Sequence, residues 1–335
     1  MVALSAAACW LPSGRARVAA DSPATVRVAE TQPHMGVPWT ITVHAASDAA
    51  GTVAIAAGFA EVERLERILS DYDPDSELSR LSAAAATPAA VSVGHDLWNV
   101  LARAEELRTL TDGAFDIAVG PLTRLWRQSR RSGHLPRPDK LAAARQAAAP
   151  GGILLDPQSR AVSLTRPGMR LDPGGIGMGY AADRVLKVLR QQGIAAAMVD
   201  ASGDIAVSAA PPGSAGWRIA ISGLPGDERS GGGMLLLERK AVTTSGDAHQ
   251  AVEIDGRRYS HIVDPRTGLG VAGPAAVTVI APDAATADAL ATAASVLGPE
   301  QGSAVVGRFP AAAARFVWQD GATTRSLTTP GWPDR

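Results

Sequence analysis

The sequence predicts a mixed α+β fold with largely antiparallel sheets and packed helices, and not a doubly wound Rossmann sheet. Three observations carry this. Segments of apolar three-to-four periodicity alternate with strand-like stretches early in the chain, whereas from residue 195 onward most strands are separated by turn signals and not by helices. The 34 glycines and 23 prolines punctuate the chain too heavily for a helical bundle. With 335 residues, 46% of them hydrophobic, there is ample material for one large core or two modest ones. A formal net charge of −1 gives no general attraction to nucleic acid.

Residues 1–30 read as a leader and linker, with a small apolar start, "MVALSAAACW", ahead of a polar stretch. Cys9 is the sole cysteine, which excludes intramolecular disulfides, zinc ribbons and redox pairs. Its setting after small residues makes it a candidate lipid anchor, although Ala6 stands where a lipoprotein signal usually has Leu. Folding is expected to begin near "HMGVPWTITVH", where "TITVH" alternates as a strand. Phe59, Val62, Leu65 and Leu69 then share one face of a helix over about 53–70. After the loop "SDYDPDSELSRLS", Leu97, Val100, Leu101, Ala104 and Leu107 mark a second helix that ends before "TDGAFD".

Residues 135–160 look like an exposed insertion before the strands "GILLD" and "AVSLT". The glycine-rich "LDPGGIGMG" opens a helix with Ala182, Val185, Leu186 and Leu189 on one face and Gly193 as its stop. "AAMVDASGDIAVS" and "GWRIAIS" read as strands, and "AVEIDGRRYSHIVD" as a hairpin turning at Asp255-Gly256. A strand, "AVTVIAPD", and a helix, "AATADALATAASVLG", follow. No later apolar run reaches the length of a membrane span.

Four groups of residues could carry chemistry. Gly174, Gly175, Gly177 and Gly179 would let backbone approach a ligand closely, but their spacing is neither a dinucleotide fingerprint nor a Walker loop, so a tight turn and a phosphate contact both stay open. Asp288 and Thr292 are one helical turn apart, where a hard cation such as Mg²⁺ could take an oxygen from each; a back-bonded Thr and an exposed Asp would look the same in sequence. The span 243–268 gathers Ser245, Asp247, His249, His261 and Asp264, with His261 at a strand end where an imidazole can act as a base. Ser245 lacks a nucleophile elbow around it. Finally, Tyr72 or Phe115 could stack on a flat ring while Asp116 meets its polar edge.

Taken in order, "MGVPWTITV", "SDYDPDSELSRL", "TDGAFDIAVGPL", "LDPGGIGMGYAADRV", "VDASGDIAV", "TTSGD", "YSHIVDPRTG" and "ADALATAASVLG" resemble the ApbE flavin transferases, which attach FMN to proteins using FAD as donor. The resemblance implies a single flavin transferase domain over 31–335, with FAD between two intimately connected subdomains. It implies FAD contacts at Met35, Tyr72, Ala114, Phe115, Asp116, Asp172, Met178 and Val263. A Mg²⁺ site is implied at Asp288, Thr292 and the Gly175 carbonyl, with His261 as base and Asp264 as its helper. The acceptor would be a redox protein with an exposed threonine, and AMP would be released. Hydrolysis of FAD to FMN and AMP, or FAD binding without turnover, are the competing readings. An exported protein, periplasmic or attached to the inner membrane, fits both the leader and the family. Two positions depart from the family's pattern: Ala291, where some members carry a further acidic ligand, and Met178, where Lys or Glu is common.

Overall fold

The computed structural model describes residues 25–87, 89–224, 227, 230–231, 233–246, 251–273 and 275–333. Cys9 and the leader before residue 25 lie outside the described residues, as do Asp247 and His249. The first strand, β1 (Val26–His34), begins inside the segment expected to be linker. Its outward face is mostly exposed, so it carries little of the apolar alternation that marks a strand in sequence. It pairs with β2 (Val37–Ala45) through a two-residue turn, Met35-Gly36, with φ of 50° and 79°. Both values are positive, the geometry that matches the twist of a tight hairpin.

The helix α1 (Asp48–Leu69) starts where the Ser47 hydroxyl accepts from Ala50 N, and it buries Phe59, Val62, Leu65 and Leu69 as their spacing predicts. After it come α2 (Glu77–Ala83), the short β3 (Val91–Ser92) and α3 (His95–Leu110). Two helices then occupy sequence in which none was expected: α4 (Gly120–Ser132) and α5 (Pro138–Ala147). The apolar signal of α4 is thin because its buried residues are only Gly120, Leu122, Trp126 and Ser129. Pro121 in its first turn and left-handed Gly133 after its end were the available cues. Most of α5 is exposed, in keeping with an insertion.

The small strands β4 (Ile153–Asp156) and β5 (Ala161–Leu164) precede α6 (Gly177–Gln191), the helix that the glycine loop opens. The expected strand over "AAMVDASGDIAVS" is a hairpin, β6 (Ala196–Ala201) and β7 (Asp204–Val207), turning at Ser202-Gly203 with φ of 58° and 108°. Next are β8 (Trp217–Ile221), β9 (Gly233–Leu237) and β10 (Lys240–Gly246). The hairpin of β11 (Ala251–Ile254) and β12 (Arg257–Val263) turns at Asp255-Gly256 as its sequence predicts, with both φ positive. After β13 (Gly270–Ala272) and β14 (Ala275–Ala281) comes α7 (Ala284–Val306). That helix is broken, not ended, at Gly298, and a further hairpin, β15 (Ala313–Asp320) with β16 (Thr323–Thr328), closes the chain.

The eight-stranded main sheet runs β1-β2-β6-β7-β10-β14-β15-β16, and every described strand pair is antiparallel. On one face α1, α6 and the start of α7 bury a common apolar cluster with the sheet, including Trp39, Ile41, Phe59, Val185 and Ala284. Charged groups pin these helices to one another. Arg64 of α1 meets Asp96 of α3 at 2.8 Å, Arg184 of α6 meets Glu61 of α1 at 3.1 Å, and the Tyr180 hydroxyl donates to Asp96 at 2.7 Å. A second cluster, drawn from α2, α3, the 112–119 loop and the outer face of α7, builds the other half of the molecule. Among the described residues no helix is long and apolar enough to cross a membrane.

Candidate active site

The glycine loop is pressed onto α7, and that contact explains its composition. None of Gly174, Gly175, Gly177 and Gly179 has a positive φ, so left-handed backbone is not what demands glycine here. At two of them the demand is room. A Cβ on Gly175 would stand 2.8 Å from Thr292 Oγ1, and one on Gly179 would stand 2.2 Å from the carbonyl oxygen of Ala284. The loop is closed by Ile176 N and Gly177 N donating to the Pro173 carbonyl at 3.0 and 2.7 Å. The Asp183 carboxylate then accepts from Ala284 N at 2.9 Å and Ala285 N at 3.0 Å, which ties α6 to the first turn of α7. Asp283 caps the same turn through Thr286 N at 2.8 Å.

One turn into α7, Asp288 is only 3% exposed, and its Oδ2 receives a long bond of 3.4 Å from Gly179 N. Burial first, and then the neighbouring carboxylate of Asp204 on β7, push its proton affinity well above the usual carboxylate range. Asp204 is itself raised to about 6, by burial and then by Asp200. Sequence reasoning did not single out Asp204, although it lies in the matched block "VDASGDIAV". The donors gathered here are carboxylate, hydroxyl and loop backbone. Oxygen-only sets of this kind suit Mg²⁺, and two interior carboxylates that act on one another would, when ionised, carry charge that a divalent cation offsets. The residues therefore fit the implied metal. Ala291 is buried among apolar neighbours and adds no oxygen. Consistent with this economy, no cluster of three His, Cys, Asp or Glu side chains is assembled among the described residues.

Of the positions expected to contact FAD, Asp172 and the 114–119 segment lie at the start of the loop. Asp172 is buried, with Oδ1 accepting from Gly174 N at 2.9 Å and Oδ2 from the Thr123 hydroxyl at 2.6 Å and Arg127 at 2.9 Å. Its own N–H donates to the Ile117 carbonyl at 2.8 Å, so the glycine loop and the 114–119 segment are locked together. Asp116 caps that segment through Ala118 N at 2.8 Å, and burial raises its carboxyl to about 6. Ala114 and Phe115 are buried in the core. At 3% exposure the Phe115 ring is a packing group, whereas Tyr72 keeps 76% of its surface open. Met35 and Met178 pack against the same apolar cluster, and Met35 N donates to Glu66 at 2.9 Å.

His261 lies on β12, half-buried, with its Nδ1 shielded from solvent. The Trp126 indole of α4 donates to the Ser260 carbonyl at 2.9 Å and fixes that strand, and Val263 packs in the cluster around Trp126. Asp264, expected to help His261, lies in the turn that follows the strand. Its two oxygens accept from the Arg266 guanidinium at 2.9 and 3.0 Å and from Arg266 N at 2.9 Å, while its carbonyl accepts from Gly268 N at 2.8 Å. Those bonds build the turn after the strand.

Fold and site together define a class: an α+β protein with antiparallel sheets, outside any Rossmann framework, that presses a glycine loop onto a helix carrying a buried carboxylate and a hydroxyl. The chain belongs to the ApbE family, whose model matches residues 35–316. It is 36% identical over 248 residues to the FAD:protein FMN transferase of Vibrio cholerae, covering 73% of each chain, and 32% identical over 277 residues to that of Treponema pallidum, covering 78% of this chain and 76% of the relative. Among solved structures, the apo flavinyl transferase ApbE of Pseudomonas stutzeri matches with a TM-score of 0.81 at 30% identity, covering 92% of this chain and 96% of that one. The flavin transferase ApbE of Vibrio cholerae matches with a TM-score of 0.82 at 29% identity, covering 92% and 98%.

Proposed function

We propose that the protein is an FAD:protein FMN transferase that moves FMN from FAD to a threonine hydroxyl of an acceptor flavoprotein and releases AMP. The observation that supports this is the seating of Gly175 and Gly179 on the helix that bears Asp288 and Thr292, which brings the Asp288 carboxylate and the Thr292 hydroxyl against the loop that Asp172 opens. Mg²⁺, when bound by Asp288, Thr292 and the Gly175 carbonyl, would supply charge neutralisation for the pyrophosphate. The protein's own groups supply the rest. Tyr72 offers an open ring face, Asp172 a fixed carboxylate, and His261 an imidazole on an anchored strand. In the transfer the threonine oxygen forms a bond to the phosphorus on the FMN side, the bond to the AMP oxygen breaks, and His261 takes the hydroxyl proton.

The test is mass spectrometry of a candidate acceptor incubated with the protein, saturating FAD and Mg²⁺. The expected product carries FMN on a threonine, and Asp288→Ala abolishes it. AMP release with no covalent flavin on any acceptor would replace transfer with hydrolysis.

A further inference from the structure

Tyr72 precedes α2 and Asp172 opens the glycine loop, yet one side chain of α4 holds both. Arg127 donates to Asp71 Oδ2 at 2.6 Å and to Asp172 Oδ2 at 2.9 Å, and its guanidinium carbon lies 4.5 Å from the centroid of the Tyr72 ring. A planar guanidinium can direct two N–H groups at separate carboxylates while its face lies on an aromatic ring; an ammonium cannot do both. Burial works against the charge of Arg127, but Asp172 and Asp71 outweigh it. Asp71, in turn, is raised by burial and by Asp172, so the two acids oppose each other wherever the arginine is not between them. Asp172 keeps Thr123 and Gly174 N as further partners, so Arg127 is not its sole support. Tyr72 is in a different position. Tyr72 is 76% exposed, and the Arg127 guanidinium lies over its ring.

We propose that Arg127 is a positioning residue for flavin binding: bridging Asp71 and Asp172, it holds the Tyr72 ring flat beside the Asp172 carboxylate as a platform for the isoalloxazine. The proposal rests on the FAD reading above. FAD affinity is measured by quenching of flavin fluorescence for wild type, Arg127→Met, Arg127→Lys, Tyr72→Ala and the Arg127→Met/Tyr72→Ala double variant, with near-ultraviolet circular dichroism to confirm folding. Arg127→Met is expected to weaken binding at least tenfold, and Arg127→Lys to recover only part of that. Once Tyr72 is already alanine, removing Arg127 is expected to cost less than threefold, because its platform is gone. Penalties that multiply in the double variant, or Arg127→Lys binding FAD as wild type does, overturn the proposal while leaving the transferase reading intact. Wild-type protein that does not bind FAD overturns both. If Arg127→Met fails to fold, the lysine variant alone decides.

Discussion

Replacing Gly179 with alanine sets two physical effects against each other. Gly179 lies in the first turn of α6, where helix propensity alone favours alanine by about 1 kcal/mol. Against it, the new Cβ would lie 2.2 Å from Ala284 O, 2.5 Å from Ala284 C and 2.8 Å from Ala285 N, all backbone atoms inside the 3.0 Å that Cβ contacts essentially never cross. Backbone cannot rotate away, so the two helices must part by about an ångström, an overpacking cost of roughly 1–3 kcal/mol. The same parting stretches the 2.9 and 3.0 Å bonds from Ala284 N and Ala285 N to Asp183. Well above pH 7, where Asp183 is ionised, losing one bond to this charged acceptor adds about 1.5–3 kcal/mol. Clash therefore outweighs propensity, and the net loss is about 2–5 kcal/mol. At roughly 2–4 °C per kcal/mol for a chain of this order of size, Tm should fall by about 5–15 °C. Thermal and urea denaturation of the metal-free protein measure this directly. A Gly179→Ala protein as stable as wild type, or more so, would show that α6 and α7 do not meet as described, and with them the cation pocket would go.

Two further outcomes follow from the same geometry. At Gly175 the added Cβ meets a side chain, Thr292 Oγ1 at 2.8 Å and Cγ2 at 3.2 Å, which can give way. Gly175→Ala should therefore melt within about 1–2 kcal/mol of wild type but need roughly tenfold more Mg²⁺ for half-maximal product; an unchanged Mg²⁺ requirement would remove Gly175 and Thr292 from the metal site. Burial raises the carboxyls of Asp116 to about 6 and Asp183 to about 7, both from an ordinary 3.8. Acids with raised folded-state values make the folded chain bind protons more tightly than the unfolded one, so their contribution to stability falls as pH rises from about 4 to about 7 and is level above that. Asp183→Asn should flatten part of this decline in Tm, and a slope identical to that of wild type would contradict the assignment.

What the sequence disclosed, and what it hid, follows from the range of the interactions. The helices at 48–69 and 95–110 and the hairpin at Asp255-Gly256 were legible because periodicity and a two-residue turn are local properties. The α4 helix was not, because two large apolar residues, Leu122 and Trp126, suffice to bury it while arginines fill its remaining turns. That omission hid the element holding the most site positions at once, with Thr123 and Arg127 on Asp172 and Trp126 on the strand of His261. Nothing local distinguishes Arg127 from Arg130 and Arg131 beside it. Asp204 was hidden for a similar reason: its significance lies in a partner on another element, Asp288. The glycine spacing left a turn and a ligand contact undecided, and only the distances to Ala284 and Thr292 decide that these glycines serve helix-to-loop approach.

Met178 and Ala291, the two positions that the resemblance sets apart, both have packing roles. Met178 sits on α6 with its side chain against the cluster built from Trp39, Phe59 and Val185, so it adds packing to the helix that presents the loop. A charged side chain in its place would have to leave that cluster to reach solvent or ligand. Ala291 is enclosed with Val277, Leu290 and Phe316, three residues along the helix from Asp288, where an acid would bury a further carboxylate. Each additional interior carboxylate demands further compensation from a bound cation. With Ala291 the proposed cation site has two interior acids and a hydroxyl to offer, a charge that a single divalent ion can balance. Introducing the missing acid, Ala291→Asp, should accordingly destabilise the metal-free protein by several kcal/mol and recover stability on adding Mg²⁺. A metal-free Ala291→Asp protein that melts with wild type would mean that residue 291 is not enclosed in that cluster, and destabilisation that Mg²⁺ does not relieve would mean that it does not face the cation site.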